Sequence, residues 1–181
     1  WLVAVVRVLL AQVVAGVVFL VLSHELAPSE YALYVVAAIA APMAYSLVAT
    51  PIGLVLIRRQ GALDRRSIDA GFTFLCCYVA LAVAVLAIPI TIAQWVSPLL
   101  VGIGAAYVLS LVLAFPAYVI LQRNLQSAKS SIIELVDRVA FQLTAMVLVL
   151  VGANIEHAVA LGLVVAGAAV IGLSQVFVRW R

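Results

Sequence analysis

Four polar residues, Glu134, Asp137, Arg138 and Gln142, stand close together at the start of an otherwise apolar stretch. Glu134, Arg138 and Gln142 follow one another at intervals of four residues, which places them along one face of a helix. A charged side chain within hydrocarbon usually faces a cavity or a partner, because its desolvation is costly. The group is therefore either an ion pair at a membrane interface or a polar stripe that lines a cavity.

A second polar pair, Arg7 and Gln12, lies within the first apolar run. The long side chain of Arg7 would either extend back to the headgroups near the start of the run or line a cavity. An arginine side chain fits a phosphate group better than lysine does, because its planar fork donates two parallel hydrogen bonds. Arg7 and Arg138 are therefore candidates to bind an anionic phosphate.

Motifs of the common enzyme classes are missing from the sequence. It has no His-Glu-x-x-His, no Gly-x-Ser-x-Gly and no Walker phosphate loop. His24 and His157 are isolated, and Cys76 and Cys77 are neighbours inside an apolar run without other metal-ligating residues around them. We therefore expect no enzyme, no metal site and no cofactor.

The composition points to a membrane protein. Of the 181 residues, 68% are apolar and 9% are charged, whereas a soluble domain has about a quarter charged residues. A soluble globule, a disordered chain and a disulfide scaffold are thereby excluded. Six apolar stretches are long enough to cross a bilayer, which takes about 20 residues each: about 2–22, 31–57, 70–93, 99–121, 132–152 and 158–178.

These stretches lack the alternation of a membrane β-barrel, so the sequence predicts helices. We expect an all-α fold: a polytopic membrane protein in which one bundle of six transmembrane helices spans residues 1–181 as a single domain. Since the chain begins with Trp1, we also expect it to be part of a longer protein.

The basic residues predict the orientation of the six spans. The second and fourth linkers and the tail hold eight Lys and Arg residues, and the other three linkers hold none. Loops rich in Lys and Arg stay on the cytoplasmic side of a membrane. The basic linkers and both ends of this segment are therefore predicted to be cytoplasmic, in a multi-pass protein of the cytoplasmic membrane. Arg7 and Arg138 then lie in the cytoplasmic half of the bilayer. The net charge of +3 is explained by topology and predicts no nucleic-acid partner.

Four short motifs follow one another along the chain. The first two are a turn after the first span and the basic end of the second span, and the others are the exit of the fourth span and the turn into the sixth. In the sequence they read LAPSEYALY at 26–34, VLIRR at 55–59, FPAYVILQRNL at 115–125 and GANIEHAVALG at 152–162. Their sequences and order resemble those of the polysaccharide flippases, the Wzx-like proteins of the multidrug/oligosaccharidyl-lipid/polysaccharide exporter superfamily.

The resemblance implies that the chain is the N-terminal lobe of a transporter for cell-surface polysaccharide biosynthesis. It would move a polyprenyl-pyrophosphate-linked oligosaccharide across the cytoplasmic membrane by alternating access. The implied partners are the bilayer, this glycan lipid, a second six-helix lobe in the same chain or in a second copy, and polysaccharide polymerase machinery. The residues expected to line its cavity are Arg7, Gln12, Glu134, Asp137, Arg138 and Gln142. Arg58, Arg59 and Arg123 would contact headgroups or a gate.

Two other functions are weighed against this one. A drug/cation antiporter of the superfamily would need acidic residues deep in the lobe, and the deep parts of these spans have none. A structural or assembly subunit would instead bind partner helices through Ala158, Gly162 and Ala166, whose spacing of four residues lets helix backbones approach closely.

Overall fold

A computed structural model describes residues 2–58, 65–92 and 97–179 of the chain. These residues form helices without any strand, which confirms the expectation of an all-α fold. Each of the six predicted stretches corresponds to one helix: α1 (Leu2–Glu25), α2 (Pro28–Arg58), α3 (Arg65–Ile92), α4 (Pro98–Arg123), α5 (Ser127–Leu150) and α6 (Ile155–Arg179).

Within the described residues, two helices are long and apolar enough to cross a membrane by length and composition, Pro98–Arg123 and Ile155–Val178. The first two helices contribute shorter apolar stretches, Leu9–Glu25 and Tyr45–Arg58. Helix α5 is less apolar because its first half carries four charged residues, including the group at 134–138. Membrane crossing is thus supported for α4 and α6, and a bundle of six spans remains a prediction.

The helix ends follow from local sequence. The Ser97 side chain accepts a hydrogen bond from the backbone N–H of Leu100 at 3.4 Å and caps α4, whose first residue is a proline. The Glu30 carboxylate accepts from the backbone N–H of Ala27 at 3.1 Å, which closes the start of α2. These caps satisfy backbone groups that a helix leaves open at its ends.

Small residues of α6 bring the neighbouring helices close. A Cβ on Gly162 would lie 3.0 Å from the ring of Phe141 on α5, and one on Gly167 would lie 2.8 Å from Ser110 Oγ on α4. Ala158 and Ala166 are fully buried on the same helix. The face of small residues expected in this span therefore packs within the chain, against α5 and α4.

Two apolar clusters hold the helices together. The first joins α1, the start of α2, α4, α5 and α6, and includes stacked rings of Tyr34 and Phe141 with centroids 5.7 Å apart. The second joins the end of α2 to α3 and α4 around Leu75, Val112 and Phe115. Helix α2 thus contributes its two ends to different clusters, and a cavity lies beside its second half.

Candidate functional site

A cavity of about 410 Å³ lies between α2, α4 and α5. Its lining is mainly apolar, with Val170 of α6 completing one wall. We call it the α2–α4–α5 cavity. Its polar lining comes from three helices: Tyr45, Ser46 and Thr50 on α2, Tyr118 and Gln122 on α4, and Glu134, Asp137 and Arg138 on α5.

A second cavity of about 330 Å³ adjoins the first, and the two share Ile57, Tyr118, Gln122 and Glu134. It reaches the turn between α4 and α5, where it is lined by Leu125 and by two serines, Ser130 and Ser131. We call it the mouth. The mouth lies where α2 and α4 end and α5 begins, which is the end that the charge pattern predicts to be cytoplasmic.

The hydroxyl of Tyr107 fixes the position of Asp137. It donates to both carboxylate oxygens, Oδ1 and Oδ2, at 3.0 Å each. Tyr107 is buried, and Ser110 one turn later donates its hydroxyl to the Tyr107 carbonyl at 2.6 Å. A carboxylate has about four acceptor positions. Asp137 therefore retains acceptor capacity toward the cavity while Tyr107 holds it in place.

The charged lining of the α2–α4–α5 cavity is acidic on balance. Two carboxylates, Glu134 and Asp137, face one guanidinium, Arg138, which leaves one net negative formal charge. Two unit charges 4 Å apart interact by about 4 kcal/mol at an effective dielectric constant of ~20. The lining therefore offers carboxylate oxygens to cations and hydrogen-bond donors, and one guanidinium, that of Arg138, to an anion.

Two described arginines follow lining residues of the mouth in the sequence: Arg58 comes after Ile57, and Arg123 comes after Gln122. Arg123 Nη1 donates to the backbone carbonyl of Leu56 at 3.2 Å and so links the ends of α4 and α2. Arg58, two residues beyond Leu56, is exposed. We call Arg58 and Arg123 the basic rim. The third predicted contact, Arg59, lies outside the described residues.

Three of the six predicted cavity residues lie together in the α2–α4–α5 cavity: Glu134, Asp137 and Arg138. Gln142 is not among the described lining residues, and its buried side-chain oxygen has no hydrogen-bond partner within the described structure. Residues four positions apart in a helix differ by about 40° around its axis. Gln142, eight positions after Glu134, therefore points in a direction about 80° away from that of Glu134. The spacing predicted one stripe, and the structure limits the cavity lining to its first part.

The two predicted residues on α1 are placed differently. Gln12 is exposed, and α1 contributes no residue to the cavity lining that the structure describes. Helix α1 packs on α5 instead. The side chain of Arg7 is outside the description, although its backbone belongs to α1. Gln12 is therefore separated from the cavity group on α5.

Sequence reasoning missed the tyrosines around the cavity. Tyr107 holds Asp137, and Tyr45 and Tyr118 line the walls. Tyr45 and Tyr107 stand well inside their helices, away from the span ends where aromatic belts form, and Tyr118 lies five residues before the end of α4. A phenol hydroxyl that is buried in a helix bundle needs a hydrogen-bond partner. From this requirement the sequence could have predicted that a tyrosine of α4 forms a hydrogen bond with an acidic residue.

Metal-ligating side chains are sparse in the described part of the chain. There, no group of three or more His, Cys, Asp or Glu side chains could hold a metal ion. Cys76 and Cys77 are free thiols on α3, a helix that contributes no described residue to the cavity lining. The chemistry that the site offers is hydrogen bonding and charge, provided by the side chains of α2, α4 and α5.

Comparison of the chain with models of protein families, with curated proteins and with solved structures finds no match. The resemblance of the four motifs is therefore still a prediction. Two of the motifs contain residues that form turns or helix caps in the structure. Gly152 has a φ of +84°, and Asn154 Oδ1 accepts from the backbone N–H of Glu156 at 2.8 Å to begin α6. Glu30, in the first turn of α2, accepts from the backbone N–H of Ala27, which precedes that helix.

Proposed function

We propose that this chain is a six-span lobe of a transporter in the cytoplasmic membrane. Its substrate would be an oligosaccharide linked to a polyprenyl pyrophosphate, moved from the cytoplasmic to the outer leaflet. The observation that carries this proposal is a cavity between helices with charged walls, whose lining extends to the ends of α2 and α4, beside Arg58 and Arg123. Moving the polar head of such a lipid through hydrocarbon unaided is prohibitively costly.

Exposed apolar side chains support the membrane setting. Large aliphatic side chains that are at least half exposed occur on every one of the six helices, for example Leu20, Val55, Leu81, Leu99, Val147 and Val164. Monomeric soluble proteins rarely expose large contiguous apolar patches. A bilayer around the bundle would cover these side chains, including those on the helices whose membrane crossing is still predicted.

The distribution of charge supports the direction of transport. The mouth lies at the end that carries the basic rim, Arg58 and Arg123, and the positive-inside rule assigns this end to the cytoplasm. A lipid substrate made in the inner leaflet would meet the cavity there. Alternating access requires a second lobe to move against this one, in the same chain or in a second copy.

The experiment that tests the proposal is a translocation assay with the full-length protein in liposomes. The vesicles would contain undecaprenyl diphosphate carrying a fluorescent oligosaccharide, and a membrane-impermeant quencher would report the leaflet that holds the label. We expect the label to change leaflet faster than in protein-free vesicles, and more slowly with Arg138→Ala. A rate equal to that of protein-free vesicles would contradict the proposal.

A second candidate function, export of an organic cation, is favoured by the acidic balance of the cavity. Such an exporter needs a carboxylate away from water, and Asp137 is half-buried and held by Tyr107. Uptake of a fluorescent lipophilic cation by the same proteoliposomes separates the two functions. Transport of this cation without any movement of the glycan lipid would favour the second candidate.

The assembly-subunit function is less compatible with the packing. It depends on a free face at Ala158, Gly162 and Ala166, yet both alanines are fully buried and Gly162 lies against Phe141 of α5. A partner helix would have to displace α5 to reach this face.

A further inference from the structure

We infer that the second half of α2 and the helix α3 form a movable wall of the α2–α4–α5 cavity, which turns about Pro42. We call residues 43–58 together with α3 the α2–α3 wall. The inference goes beyond the proposed function, because it concerns a motion within this bundle whatever substrate the protein carries. Turning of the wall toward or away from α5 narrows or widens the cavity.

Pro42 lies between the two apolar clusters that hold α2. Before it, Tyr34 is fully buried in the first cluster, and after it, Leu56 is buried in the second. Next to Pro42 the helix has little packing, since Ile39 and Met43 are more than half exposed and belong to neither cluster. A segment with few buried apolar contacts is one where a fold can move locally. The two halves of α2 are therefore anchored separately.

The backbone of α2 is weakened at the same point. Pro42 lies inside the helix and has no N–H to donate to the carbonyl of Ala38, four residues earlier. Sharp kinks in helices occur mostly at prolines. Pro51 has the same chemistry, but Ala49 and Leu56 on its two sides are buried in one cluster. Packing therefore restrains the helix at Pro51 and leaves Pro42 as the hinge.

Helix α3 is joined to the second half of α2 by close packing. A Cβ on Gly71 of α3 would lie 3.1 Å from the side chains of both Ile52 and Leu56 of α2. Leu75 of α3 is fully buried in the cluster that also contains Leu56. Because the two helices approach each other so closely, a turn of α2 beyond Pro42 carries α3 with it.

The α2–α3 wall and α5 lie on different sides of the cavity. Ser46, Thr50 and Leu54 line it from α2, at intervals of four residues along one face, and all three are exposed. Asp137 lines it from α5 and is held by the Tyr107 hydroxyl of α4 at 3.0 Å. The exposed face of the wall leaves room for movement, whereas the carboxylate on α5 is fixed to its neighbouring helix.

Two contacts keep the wall attached while it turns. Tyr45 packs against both apolar clusters, directly beyond the hinge. At the other end of the wall, Arg123 Nη1 of α4 donates to the carbonyl of Leu56 at 3.2 Å. An arginine side chain has many rotamers, so it can follow this carbonyl through a limited movement. The contacts restrict the wall to a swing and prevent its separation from α4.

The test measures distances between spin labels on pairs of cysteines, by double electron–electron resonance on the full-length protein in lipid nanodiscs, in a cysteine-free background. Val55 on the wall, Val36 before the hinge and Val176 on α6 are all exposed. Each of the first two is paired with Val176. A change of about 20° in the kink would move Val55, about 20 Å beyond Pro42, by roughly 7 Å. We expect two distances, or an equally broad distribution, for the pair at Val55 and one narrow distribution for the pair at Val36.

Pro42→Ala supplies the N–H that the Ala38 carbonyl lacks and should reduce the pair at Val55 to one narrow distribution. Pro51→Ala is the matched control, since it makes the same chemical change within one cluster, and it should leave the distribution broad. Thermal unfolding shows whether each variant keeps its fold. If Pro42→Ala does not fold, the comparison of the two pairs in the otherwise unchanged protein decides.

Two equally narrow pairs in the protein that retains both prolines would overturn the inference. So would a distribution at Val55 that stays broad in folded Pro42→Ala, or one that Pro51→Ala narrows as much as Pro42→Ala does. The measurement contains no substrate, so a rigid α2 would leave the proposed function standing. Conversely, a protein that moves no lipid in the liposome assay could still show the two distances.

Discussion

Tyr107 on α4 donates its hydroxyl to both carboxylate oxygens of Asp137 on α5, at 3.0 Å each and across 30 positions of sequence. This contact orients one of the two carboxylates of the cavity and joins two helices that otherwise meet over a short length. Because Tyr107 is buried, its hydroxyl has no water to replace the carboxylate.

Tyr107→Phe should therefore destabilise the protein. The change removes a hydrogen bond to a charged group, and such bonds contribute about 1.5–3 kcal/mol. We expect a lower Tm in detergent or nanodiscs, measured by the unfolding of the purified protein. Tyr78→Phe, which alters a half-buried tyrosine of α3, is the matched control and should change the Tm less. An unchanged Tm for Tyr107→Phe would show that the contact contributes little.

Arg138→Ala should slow translocation of the glycan lipid by about tenfold, which corresponds to ~1.4 kcal/mol. The substitution leaves Glu134 and Asp137 without the guanidinium that offsets them in the cavity. The measurement is the initial rate in the liposome assay at equal protein content. Arg65→Ala is the control, since Arg65 is 94% exposed and lies 4.0 Å from Asp69 at the start of α3. Equal rates for the two variants would exclude a specific role of Arg138.

Gly167→Ala should lower the free energy of unfolding by about 1–3 kcal/mol. Its Cβ would lie 2.8 Å from Ser110 Oγ, so α4 and α6 must separate or Ser110 must turn. On the same helix a Cβ on Gly172 meets nothing within 4 Å, and Gly172→Ala should stabilise by about 0.5–1 kcal/mol. Chemical denaturation of both variants measures the difference. If Gly172→Ala lowered the free energy of unfolding as much as Gly167→Ala, the result would contradict the packing of α4 against α6.

The predicted orientation can be measured with single cysteines in a background that lacks Cys76 and Cys77. Leu125 in the α4–α5 turn is 90% exposed and Val151 in the α5–α6 turn is 73% exposed. In intact cells a membrane-impermeant thiol reagent should label Val151→Cys, and Leu125→Cys should react only after permeabilisation. Labelling of both positions from the outside would contradict the topology and would place the mouth on the outer side.

The same features show how far local sequence can predict this protein. The six helices were predictable because long apolar runs without alternation can satisfy their backbone hydrogen bonds in a membrane only as helices. The structure adds the caps at their starts, such as Ser97 for α4 and Glu30 for α2. The polar group on α5 was also visible, since charged side chains stand out in an apolar chain. Its extent was not, since Gln142 shares the spacing of the group and yet is not among the described lining residues of the cavity.

The sequence by itself determined the all-α architecture and the alternation of basic linkers, whereas α3 and α5 begin five residues earlier than the apolar runs predicted. Only the tertiary structure decided which helices meet, through contacts such as Tyr107 of α4 with Asp137 of α5 and Arg123 of α4 with Leu56 of α2. It also placed Gln12 of α1 on the exposed surface, outside the cavity. The physical reason is that these helices are apolar on most sides, with exposed as well as buried valines and leucines. Periodicity therefore marks no inward face, and the partners are selected by close packing at small residues such as Gly162 and Gly167.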